Sequence, residues 1–175
     1  DIDTIKYISD SFEFILINHE NQLLKDKLIR QAMMYAVDRK HISDKYLLGH
    51  TVLADTPIKP GTWLDDKKAI IYNYSRAEAQ YILSNAGFSY NVHEKAFERD
   101  IEGEKQILRL SLITNIENEY RVKAAEDIKR YFEEAGFIID LEILPFEEVE
   151  KLIEKGKYDL VLTGVNMMQD LISFL

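Results

Sequence analysis

Ile107-Leu-Arg-Leu-Ser-Leu-Ile113 opens the stretch whose reading decides the fold, and Tyr158-Asp-Leu-Val-Leu-Thr-Gly164 closes it. In the first segment Leu108, Leu110 and Leu112 share one face, and Arg109 and Ser111 the other, a period of two that predicts a strand. Tyr120 to Ala135 then carries Val122, Ala125, Ile128, Phe132 and Ala135 at helical spacing, and Gly136 stops it by tolerating the left-handed conformation past a helix end. Ile139, Leu141 and Ile143 alternate against Asp140 and Glu142 and predict a second strand. Pro145 opens a short helix with inner residues Val149, Leu152 and Ile153, closed by Gly156, and residues 158–164 form a third strand. Strands separated by helices favour parallel pairing through right-handed crossovers. Ligands of such sheets collect at the carboxyl ends of the strands. Those ends are Thr114-Asn115, Leu144-Pro145 and Gly164-Val-Asn-Met-Met168.

The 175 residues are enough to bury a core, and 46% hydrophobic content with 11% aromatics is that of a folded globular chain. A formal charge of −9 argues against nucleic acid, whose phosphates need clustered Lys and Arg. Cysteine is absent, which excludes disulfides, thiolate metal sites and a Cys nucleophile. No apolar run approaches the roughly 20 residues of a membrane span. The chain opens on Asp1 rather than Met and ends straight after an apolar segment. The expectation is one α/β domain over residues 1–175, excised from a longer protein.

Phe12 to Asn18 is rich in β-formers and predicts a strand. Asp26 is placed to cap a helix over Lys27–Arg39, and His41–Leu48 predicts a second, ended by Gly49. Arg30 and Asp38 in this region read as structural, as members of a partly buried ion-paired set. Residues 51–68 form the longest irregular segment, holding two of the three prolines and the single tryptophan, Trp63. Ser75-Arg-Ala-Glu78 reads as a capping box for a helix ended by Gly87. Residues 88–104 read as a charged, poorly ordered surface excursion, a hairpin turning at Gly103. Asn85-Ala-Gly-Phe88 and Glu134-Ala-Gly-Phe137 end their helices alike, which reflects shared stop chemistry rather than a repeat.

Four stretches together resemble the family 5 extracellular solute-binding proteins, the oligopeptide-, dipeptide- and nickel-binding receptors of ABC importers. They are Asn18 with the run Asp26-Lys-Leu-Ile-Arg-Gln-Ala-Met-Met-Tyr-Ala-Val-Asp-Arg-Lys-His-Ile42; Gly49 with Thr56-Pro-Ile-Lys-Pro-Gly-Thr-Trp63; Tyr74 to Phe88; and Gly156 to Gly164 followed by Asp170 and Ser173-Phe-Leu175. Their order and spacing agree over nearly the whole chain. The resemblance implies the more C-terminal lobe of a two-lobed clamshell of the type II periplasmic-binding-protein kind, with a parallel βαβ sheet and helices on both faces. It implies a missing second lobe of the same protein, a small solute, peptide by family default, held between the lobes, and delivery to an ABC permease. It implies an extracytoplasmic, lipid-anchored parent. A second reading keeps the lobe but makes it the ligand-sensing module of a cytoplasmic transcriptional regulator.

The expected ligand-binding residues are Trp63, Asn115, Gly164, Val165, Asn166, Met167, Met168 and Asp170. In the peptide-binding members an Asp after the last strand pairs with the peptide ammonium group, and the resemblance places that position at Met167 or Met168. A buried ammonium needs a paired anion. Methionines offer an adaptable apolar wall instead, and Asp170 matches a more distal acidic position. No enzyme constellation is present: the four histidines are scattered, no Gly-x-Ser-x-Gly elbow occurs, and no Gly-rich loop follows a strand. No cofactor, metal or catalytic residue is expected.

Overall fold

The computed structural model describes residues 11–56, 58 and 72–166. The elements are β1 (Ser11–Ile17), α1 (Lys27–Ala36), α2 (Arg39–Leu47), α3 (Arg76–Asn85), β2 (Ser89–Asn91), β3 (Ala96–Ile101), β4 (Glu104–Ile107), β5 (Arg109–Asn115), α4 (Glu119–Ala135), β6 (Ile138–Leu144), α5 (Phe146–Glu154) and β7 (Leu160–Asn166). The main sheet has the order β1-β7-β5-β6. Strands β7, β5 and β6 run parallel, and β1 lies antiparallel on β7. The three-strand pattern read from residues 107–164 is therefore two βαβ units that share β6.

The first crossover, through α4, carries the chain outward from β5 to β6; the second, through α5, carries it back past β5 to β7. Crossovers of one hand that travel in opposite directions place their helices on opposite faces. The core divides accordingly. Leu110, Leu112, Ile139, Leu160 and Leu162 pack with residues of α1, α3 and α4. Ile113 and Val161, one position away in the pleat, pack on Val149 of α5, joined by Leu152 and Ile153. The expected helices on both faces are present.

Local signals account for most boundaries. The Asp26 side chain accepts the Leu28 amide at 2.9 Å and caps α1. The expected helix over residues 27–39 breaks at Val37, whose extended backbone lets Asp38 cap α2 by accepting the His41 amide at 2.9 Å. Asp38 and Arg30 serve backbone groups rather than each other: Arg30 Nη1 donates to the carbonyls of Leu24 and Lys25 at 2.7 and 2.9 Å. Only half of the capping box forms. Ser75 Oγ accepts the Glu78 amide at 3.2 Å, but the Ser75 amide is taken by the Tyr35 carbonyl at 2.9 Å, which docks α3 onto α1.

Both Ala-Gly-Phe stops are Schellman motifs. Phe88 and Phe137 donate their amides to Leu83 and Phe132 at 3.1 and 3.0 Å, and both rings are buried. Residues 89–107 are an ordered three-strand meander rather than a loose hairpin. It is anchored where the Phe97 amide donates to the Gly136 carbonyl at 2.7 Å. The third strand of the pattern runs two residues later than the alternation suggested, over 160–166, because its first pairings are those of Leu160 with Ile17 and Leu112.

The meander and a side-chain network close the amino ends of the parallel strands. Asp159 accepts from Ser111 N and Oγ at 2.7 and 3.0 Å and from Asn21 Nδ2 at 2.7 Å. The opposite rim carries no such cover among the described residues: Ile116, Tyr120, Phe146 and Asn166 are exposed there.

Candidate functional site

The carboxyl ends of β5, β6 and β7 form this open rim, and one hydrogen-bonded chain runs along it. Glu13, on β1, takes a two-pronged bond from Arg121 in the first turn of α4: Nε to Oε2 and Nη2 to Oε1, each 2.8 Å. Arg121 Nη1 donates to Asn115 Oδ1 at the end of β5. Asn115 Nδ2 donates to Glu117 Oε2 at 2.9 Å, and Glu117 Oε1 accepts the Phe146 amide at the start of α5 at 3.0 Å. Backbone pairing adds one more link, from the Ile116 amide to the Leu144 carbonyl at 2.9 Å.

Each member is placed by a local rule. Asn118 caps α4 by accepting the Arg121 amide at 3.0 Å, which starts the helix in the turn directly after β5. Arg121 then reaches back over the sheet with only 12% of its side chain exposed. Glu13 stands opposite Gly164 in the β1–β7 register. A Cβ at Gly164 would overlap the Glu13 carboxylate and lie 2.9 Å from Arg121 Nη2. Glycine there leaves room for the ion pair rather than relieving backbone strain, since its φ lies outside the left-handed region. Glu117 is held below the usual carboxylate range, chiefly by the Phe146 amide and then by the Asn115 carboxamide.

Of the residues expected to bind ligand, Asn115, Gly164, Val165 and Asn166 lie on this rim. Asn115 is 7% exposed, with both ends of its carboxamide bonded within the chain. Gly164 is the floor beneath the Glu13–Arg121 pair, Val165 is half-buried, and Asn166 is exposed at the end of β7. Trp63, Met167, Met168 and Asp170 lie outside the described residues. Sequence reasoning missed Glu13, Arg121 and Glu117. Glu13 did leave a signal, as the lone charge within Phe12-Glu-Phe-Ile-Leu-Ile17, on the same pleat face as Ile15 and Ile17. Among the described residues no group of three His, Cys, Asp or Glu side chains is placed to hold a metal ion. No described helix is long and apolar enough to cross a membrane.

Comparison with known proteins gives this rim a context. The chain is 26% identical over 160 residues to the oligopeptide-binding protein AppA of Bacillus subtilis (strain 168), covering 89% of this chain and 29% of that protein. Among solved structures, NikZ from Campylobacter jejuni in complex with Ni(L-His) is 27% identical with a TM-score of 0.79, over 91% of this chain and 30% of that one. The structure of AppA with a nonapeptide superposes with a TM-score of 0.80 at 24% identity, over 91% of this chain and 32% of that one, and supports the fold. The chain thus spans about 30% of the length of these relatives. The family model for the bacterial extracellular solute-binding proteins, family 5, middle region, matches residues 1–170. An α/β sheet with an open strand-end rim, this match and these relatives agree: the chain belongs to the bacterial extracellular solute-binding proteins, family 5.

Proposed function

We propose that residues 1–175 are one lobe of a two-lobed receptor that captures a small solute and delivers it to an ABC permease in the membrane. The parent protein works outside the cytoplasm, held by a lipid anchor, and performs no chemistry on its cargo. The observation that carries this reading is the register at the edge of the sheet. Ser11 pairs with Asn166, so the first and last described residues lie side by side on the exposed rim. The start of β1 and the end of β7 thus stand together beside the strand ends where open α/β sheets hold ligands. A second lobe attached there faces the rim, and closure about that attachment encloses the ligand between the two.

The rim supplies half of such a site, and Asn115, Gly164, Val165 and Asn166 belong to it. Trp63, Met167, Met168 and Asp170 complete the proposed ligand-contacting set. Relatives carry oligopeptide or a nickel–histidine chelate. Peptide is the family default for this chain, with Met167 or Met168 standing where the peptide-binding members carry an ammonium-pairing Asp. No observation favours the regulator alternative. The test is native mass spectrometry of the full-length two-lobed protein with whatever copurifies. A peptide or other small solute released only on denaturation is the expected result; a protein that comes off empty and binds none of a diverse peptide pool would overturn the proposal.

A further inference from the structure

A crevice between strand ends and helix starts ordinarily offers an anion two footholds: the free amides of a helix N-terminus and any arginine nearby. Here the chain fills both with its own carboxylates. Glu117 takes the first amide of α5, whose own cap residue, Pro145, has no side-chain acceptor. Glu13 takes two donors of Arg121, and Asn115 takes a third. The start of α4 is likewise served by Asn118, and the Glu119 carboxylate holds Lys123 at 2.6 Å.

Arg121 is the only Arg or Lys in 11–13, 114–121, 143–148 and 163–166, whereas those stretches hold Glu13, Glu117, Glu119, Glu147 and Glu148. A solute carboxylate arriving here meets like charge and would have to evict a bonded glutamate. The same stretches expose Ile116, Tyr120 and Phe146, at 59%, 59% and 45%. Apolar surface beside surplus negative charge matches a ligand portion that is apolar and either uncharged or cationic.

We propose that Glu13 and Glu117 are specificity-determining residues that close this rim to anionic groups, so that the part of the solute seated here is apolar and carries no negative charge. The inference rests on the solute-capture reading and deepens it.

The test uses the full-length protein and an equimolar pool of Leu- and Phe-rich pentapeptides, each as free acid and as C-terminal amide, with native mass spectrometry as readout. Wild type should retain amides over acids. Glu13→Gln and Glu117→Gln keep a hydrogen-bonding oxygen but remove the charge. Either should raise the acid-to-amide ratio roughly tenfold, the worth of one charge-assisted hydrogen bond. A wild type that prefers acids, or ratios unchanged in both variants, overturns the inference. Retention of neither form by wild type counts against peptide capture instead. The exclusion is then judged by sulfate titration followed by thermal unfolding. Sulfate-dependent stabilisation gained by the Glu13→Gln/Glu117→Gln double variant and absent from wild type supports it, and identical responses overturn it.

Discussion

The Phe146 amide, which opens α5, donates its hydrogen bond at 3.0 Å to Glu117, a residue 29 positions earlier in the turn after β5. A helix led by Pro145 lacks a side-chain cap of its own. The missing acceptor comes from the neighbouring strand end, so two strand-end turns are held as one surface. Glu117→Ala should leave the fold intact and speed hydrogen exchange at the amides of Phe146 and Glu147. The folded carboxylate titrates below its unfolded value, so its contribution is fully present above the unfolded pKa and is lost as pH falls through the depressed folded one. The exchange difference between variant and wild type should shrink over that acid window; a difference that grows there would contradict the cap.

Gly136 ends α4 at φ 101°, and a Cβ there would lie 2.5 Å from Phe97 Cδ2. Gly136→Ala combines left-handed strain with overlap against a buried ring, about 3 kcal/mol in all. Urea denaturation measures it. The loss should be much smaller at Gly87, where φ is also positive but no atom lies within 4 Å of the added Cβ.

Gly164→Ala should cost about 1 kcal/mol, because its methyl must push the Glu13 carboxylate off Arg121, and a partly exposed pair is worth no more. Combined with Glu13→Ala, the same substitution should be nearly neutral. A double-mutant cycle in denaturant reads this directly, and strict additivity would mean the overlap is relieved elsewhere.

Asp127, 9% exposed by side chain, joins α2 to α4 by accepting from Lys45 Nζ and Tyr46 Oη at 2.8 Å each and from Arg130 at 3.2 Å. Burial alone would raise its pKa; the three donors outweigh that and the net direction is down. Asp127→Asn should cost about 1–2 kcal/mol near neutral pH. That cost is present above the unfolded carboxyl pKa and disappears as pH falls through the lower folded value, since protonation then removes the charge from wild type too. Thermal unfolding at graded pH checks both the size and the sign.

Trp63→Ala in the full-length protein should weaken solute binding while leaving the thermal midpoint close to wild type. Isothermal titration with the copurifying solute measures the first and calorimetry the second. An unchanged affinity would remove Trp63 from the ligand-contacting set.

What residues 107–164 determined by themselves was the order of layers. Alternation in Leu108 to Leu112, helical spacing in Val122 to Ala135, and glycine stops at 136 and 156 are imposed by contacts within a turn or two, which a linear pattern records. The caps at Asp26 and Ser75 and the two Ala-Gly-Phe stops were legible for the same reason. The split at Val37 was not, because apolar spacing runs through it and only the competing cap at Asp38 breaks the helix.

The rim belonged to the tertiary structure. Glu13 and Arg121 stand 108 positions apart and meet only because β1 lies antiparallel on β7 in a register that sets Glu13 over Gly164. Glu117 finds Phe146 only because the β5–β6 pairing brings two turns level. Charged side chains on separate turns carry no periodic signature. Their partners are chosen by strand order and register, which arise from packing the whole sheet.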